Sequence, residues 1–211
     1  MYYLLILPGA LLAPILHEWV KAQVSAALGD PVPKNNGFLS WRPFKYFEPI
    51  GFLILMYTGC FGWGQPVPTS SFYYKDRRNG VILTYTAPIV ANLLVGMLVA
   101  FLWSNFLSPH IGVWAIMNAG DVFQVRWFMY LNIAVLQFSL INIGFAVFNL
   151  ISVFPMAGNK LMHLFASPDT SMRMNHYEKP MLMVFMLMVI FGIAQTIVFP
   201  IRNFFFNLVW F

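Results

Sequence analysis

A chain of 211 residues that is 60% hydrophobic and 9% charged cannot clothe a water-soluble globule, which has roughly a quarter of its residues charged. The class that remains is an all-α integral membrane protein. The net charge of +5 is spread over short loops, so it reads as a topology signal and not as a nucleic-acid-binding face.

The first apolar run covers residues 4–27. It has no basic residue before Lys21 and is longer than a signal-peptide core, so it is expected to be a retained span. Further runs at 81–105, 127–154 and 181–199 also reach the roughly 17 to 25 residues that cross the hydrocarbon as a helix. The run from Ile50 to Phe61 is too short to span, and its backbone must be satisfied inside the protein, which predicts a re-entrant element. Partial alternation from Gly37 to Pro43 predicts a short interfacial hairpin. Gly62 to Pro68 and Ser108 to Gly120 are expected as loops. Trp41, Trp63, Trp103, Trp114, Trp127 and Trp210 fall near span ends, as an aromatic belt does. All of this is expected to form one polytopic domain over residues 1–211, with about four spans.

Three basic clusters, around Lys34, Lys75 and Lys160, share one side if the short run turns back without crossing. The positive-inside rule then puts the basic loops in the cytoplasm and both termini outside. Cys60 is the sole cysteine, so no intramolecular disulfide framework exists, and a small buried residue is the simplest reading of it.

The chemistry-bearing motif is His17-Glu18-Trp19-Val20-Lys21 on the first run. His-Glu-x-x-His places two imidazoles one helical turn apart to hold zinc, with the glutamate activating water. Lysine at the second position carries an ammonium with no lone pair for a metal. Glu18 and Lys21 are three residues apart and close enough to pair on a helix, and an unpaired charge in the membrane is costly. An ion pair between them, with His17 hydrogen-bonded nearby, is the expectation.

Several blocks together resemble the site-2 protease family of intramembrane zinc metalloproteases, in its compact form without a PDZ domain. Leu16-His17-Glu18 followed by Leu28-Gly29-Asp30-Pro31, Pro43 to Gly51, and Gly62-Trp63-Gly64-Gln65-Pro66-Val67-Pro68 each resemble a family motif. Ala87-Pro88 to Asn92 is similar to Gly-Pro-x-x-Asn, with alanine for the glycine and the asparagine one residue late. Asn149 to Gly158 lines up with Asn-Leu-Leu-Pro-x-x-Pro-Leu-Asp-Gly, whose aspartate is the third zinc ligand. Here that position is Ala157.

The resemblance implies a degenerate site made of His17, Glu18, Lys21 and Ala157, with Asn92 and Asn149 where the family holds substrate backbone. With two ligand positions lost, the expectation is a protein that is not an enzyme and holds no zinc. Such a protein would be a structural, assembly or binding subunit in a hetero-oligomeric complex of integral membrane proteins, in contact with lipids and not with nucleic acid. Its expected location is a bacterial cytoplasmic membrane. The alternative is an active intramembrane zinc metalloprotease with non-standard ligands that cleaves transmembrane segments.

Overall fold

The structure, a computed structural model, describes residues 2–117, 122–151 and 157–210. The described residues are helical with turns and loops and contain no strand. In chain order the helices are α1 (Tyr2–Ala27), α2 (Val32–Asn35), α3 (Pro49–Thr58), α4 (Arg77–Leu102), α5 (Ser108–Met117), α6 (Val122–Asn149), α7 (Ala157–Phe165), α8 (Pro168–Ile190) and α9 (Ile193–Asn207).

Three helical stretches are long and apolar enough to cross a membrane: Tyr3–Ala27, Arg77–Val113 and Val125–Asn149. They account for the first three expected spans, and the protein is an integral membrane protein. The fourth expected span is bent. Pro180–Ile190 and Ile193–Asn207 meet at 71°, because the chain leaves α8 through Gly192, whose φ of 76° suits a residue without Cβ. The bent pair makes a fourth crossing only if both arms count as one span.

Spans α1, α4 and α6 pack on one another and form the centre of the molecule. Small residues let their backbones approach. A Cβ on Gly96 would stand 2.9 Å from the Ser139 carbonyl oxygen, and one on Gly9 would stand 3.0 Å from the Phe138 Cα. Asn92 binds all three helices together. Its Nδ2 donates to the Ala13 carbonyl at 2.9 Å and to Asn142 Oδ1 at 3.2 Å.

Helix α3 has ten residues, about 15 Å of rise, which is half the hydrocarbon thickness. Pro49 opens it, the Glu48 side chain accepts from Ile50 N and Gly51 N, and Gly59 closes it in the left-handed region. It is the short helix expected over 50–61, and Gly51 and Gly62 let it lie directly on the backbone around Trp63.

The expected hairpin over 37–43 is absent. Gln23 Nε2 donates to the Leu39 carbonyl at 2.9 Å and the Tyr46 hydroxyl donates to the Phe38 carbonyl, so side chains take the groups that a partner strand would have used. Pro43 has no N–H to contribute and instead starts a 3-10 turn, Pro43–Lys45. Most of the stretch expected as a loop at 108–120 is helical to Met117, joined to α4 by a π-turn over Trp103–Leu107. Trp103 is not a belt residue, since only 4% of it is exposed and its indole N–H donates to Asn132 Oδ1 at 2.6 Å.

Candidate functional site

Segment 62–68 is the loop expected there, and it runs over the middle of α1. Gly64 is the residue that lets it pass. A Cβ there would stand 2.9 Å from the Tyr46 carbonyl oxygen and 3.2 Å from the Pro14 carbonyl oxygen. Gln65 N donates to that Tyr46 oxygen at 2.8 Å, which leaves Val67 N to donate to Glu18 Oε2 at 2.8 Å. Tyr46 is buried below this crossing. Desolvation, and then the Glu18 carboxylate, push its phenol above the ordinary tyrosine range, so it stays a hydrogen-bond donor.

The expected ion pair is present. Lys21 Nζ lies 3.2 Å from Glu18 Oε2, and both side chains are nearly buried. Lys21 also lies 5.4 Å from the centre of the Tyr85 ring, a cation–π contact across to α4. The bonds from Lys21 and from Val67 both fall on Oε2.

His17 is 5% exposed and packs edge-on against Phe145 of α6, with ring centres 5.4 Å apart. Its Nδ1, like Asn92 Oδ1, is buried without a close hydrogen bond among the described residues, and Asn92 is the side chain that stands near enough to engage the imidazole.

A cavity of about 450 Å3 brings His17, Glu18, Lys21 and Asn149 together with Tyr85 and Lys160. Asn149 anchors itself by donating to the Phe145 carbonyl one turn back, at 2.9 Å. Asn92, engaged with Ala13 and Asn142 and next to His17, is not itself part of the lining. Ala157 packs with Ile89 and Ala146, with Tyr85 against the same cluster, and offers only a methyl group. Residues 152–156, which belong to the same sequence block, lie outside the described residues.

Tyr85, Lys160 and Val67 are not site residues on the sequence reading. Lys160 had a signal, because it follows Ala157 by three residues on a helix and shares its face. Tyr85 and Val67 had none, since their contacts depend on how α4 and segment 62–68 cross α1. His163 is turned to other partners, Ser171 Oγ at 2.7 Å and Glu178 Oε1 at 3.7 Å. His110 and His176 are exposed on α5 and α8.

No family model and no solved structure matches this chain. It is 25% identical over 190 residues, 89% of its length and 81% of the relative's, to the "Putative zinc metalloprotease YwhC" of Bacillus subtilis (strain 168). The chain is thus similar along most of its length to a protein named as a zinc metalloprotease, which is consistent with a site-2-protease-like membrane protein. The family resemblance read from its motifs therefore stands.

The same relative overturns two expectations, that the protein is not an enzyme and that zinc is absent. A homologue along nearly the whole chain that is named for zinc and for proteolysis points toward both. Loss of donors at positions 21 and 157 is not by itself loss of the site. Those side chains speak for their own positions only, because metal sites recruit donors from any part of a fold.

The described residues do not complete a zinc site by themselves. His17 is one imidazole, Lys21 has no lone pair while it is ion-paired, and among the described residues no three of histidine, cysteine, aspartate and glutamate converge. The protein thus has Glu18 in the lining of a pocket and, among its described residues, lacks the conventional ligand set.

Proposed function

We propose that the protein is an intramembrane protease of the zinc-metalloprotease type with an unconventional donor set, cleaving transmembrane segments of other membrane proteins. One observation carries this reading. The loop over α1 and the walls from α4 and α6 enclose a cavity in which His17 and Glu18 of the protease motif are joined by Asn149, whose position in the family holds substrate backbone. The kinship with a protein named as a zinc metalloprotease supports it.

In this reading Glu18 is the base that holds the attacking water, through the oxygen that takes neither the Lys21 nor the Val67 bond. Asn149 and the backbone of segment 62–68 orient an unwound stretch of substrate. Tyr85 and Phe145 limit access of bulk water. Substrates and lasting partners are other integral membrane proteins in a hetero-oligomeric assembly, with lipid covering the remaining apolar faces. The basic loops face the cytoplasm and both termini lie outside.

The test is cleavage of a panel of membrane-spanning peptides in bicelles by the purified protein, with zinc measured by elemental analysis on the same sample. Cleavage that drops at least a hundredfold in Glu18→Gln, with bound zinc that falls in His17→Ala, is the expected result. Turnover by the native protein no greater than that of Glu18→Gln would refute it.

A further inference from the structure

Beside the candidate site lies a second cavity of about 310 Å3, where the start of α4 meets α7 and α8. Arg77, Lys160, His163, Ser71 and Ser171 line it. Thr69, Tyr85 and Lys160 line both cavities, so the two share a wall.

The placement of charge around this cavity favours an anion. Arg77 stands in the first turn of α4, at the positive end of the helix dipole, where a cation does nothing for helix stability. Its guanidinium makes no hydrogen bond or ion pair among the described residues. Lys160 adds a second positive charge from α7, and the hydroxyls of Ser71, Thr69 and Tyr85 add donors. Two acids on the same elements are engaged by other groups. Asp76 caps α4 by accepting from Asn79, and Glu178 faces His163 and Asn159. Neither carboxylate lines the cavity.

We propose that this cavity receives a carboxylate flanking the segment bound in the neighbouring site, so that the substrates are membrane polypeptides with an acidic residue beside the segment. The proposal rests on the reading that the first cavity binds a polypeptide. The shared wall favours a peptide carboxylate over a lipid phosphate. A chain seated beside Glu18 reaches the basic cavity by passing Thr69 and Tyr85, whereas a headgroup has no need of that connection.

Binding of fluorescent Leu/Ala membrane peptides to the full-length protein in zwitterionic nanodiscs tests it. One peptide ends in Asp-Asp-Glu and the other in Asn-Asn-Gln. The acidic tail is expected to lower Kd about tenfold, which is about 1.4 kcal/mol. Arg77→Gln should bring the acidic peptide to the affinity of its amide counterpart, and Arg77→Glu should invert the preference toward a Lys-Lys-Lys tail. Equal affinity of the two peptides for the native protein, or a preference that survives Arg77→Gln, overturns the proposal. Tightening only when anionic lipid is added, with no discrimination between peptides, assigns the cavity to a headgroup and overturns it too. If neither peptide binds, the polypeptide reading of the first cavity falls and takes this proposal with it. That outcome is distinct from equal binding, which leaves the first reading standing.

Discussion

Two carboxylates, Glu18 within the first span and Asp30 just past it, are treated in opposite ways by the fold. Asp30 lies just past α1, 2% exposed, and its oxygens accept from Ser25 Oγ at 2.8 Å, Val32 N at 3.0 Å and Ser70 N at 2.7 Å. Ser25 in turn meets the Tyr74 hydroxyl at 2.8 Å, and Tyr74 is linked to Thr84 at 3.0 Å. Every bond there ties one element to another, so Asp30 is a structural knot between α1, the loop before α4 and α4 itself. Glu18 takes its two bonds on one oxygen and lines a cavity. A fully satisfied acid holds a fold in place, whereas a half-used one beside empty space is available for chemistry.

Removing the cation from the Glu18 side should break this contrast most severely. Lys21→Met leaves a nearly buried carboxylate without its counter-ion and is expected to cost about 4 kcal/mol, read as loss of unfolding resistance in detergent. Lys21→Met combined with Glu18→Gln should recover most of that loss, since no charge is then stranded. Asp30→Asn turns an acceptor of three bonds into a group with donors facing donors, at about 3 kcal/mol. It should lower stability without the recovery that a second substitution gives at Glu18.

Gly64→Val sharpens the comparison from the loop side. Its side chain meets the Tyr46 and Pro14 carbonyls, and lifting segment 62–68 should cost about 2 kcal/mol while withdrawing Val67 N from Glu18. The check is faster amide exchange at Val67 alongside the stability loss. The smallest effect is expected at Asn92→Ala, about 1 kcal/mol by thermal unfolding, because an interhelical amide bond in lipid is worth little more than that.

Much of the architecture was legible along the chain. The apolar runs located α1, α4 and α6 because covering the hydrocarbon is a matter of length and composition. Glycine and proline marked the loop at 62–68 and the short helix at 49–58. The hairpin over 37–43 misled because alternation reports which side chains face inward, and that pattern arises equally from a coil whose carbonyls are taken by Gln23 and Tyr46. The stretch to Met117 misled in the other direction, since the π-turn after Leu102 carries the helix on through residues read as a loop.

The sequence alone determined the membrane class, the Glu18–Lys21 pair and the absence of donors at positions 21 and 157, because each depends on composition or on residues one helical turn apart. Tertiary structure decided what surrounds them. Val67 reaches Glu18 across 49 residues of chain, Tyr85 arrives beneath Lys21 from another helix, Lys160 joins both cavities, and Asn92 donates to Ala13 and Asn142. These contacts follow from how helices cross and how closely glycine lets them approach, and spacing along one segment carries no record of another segment's path.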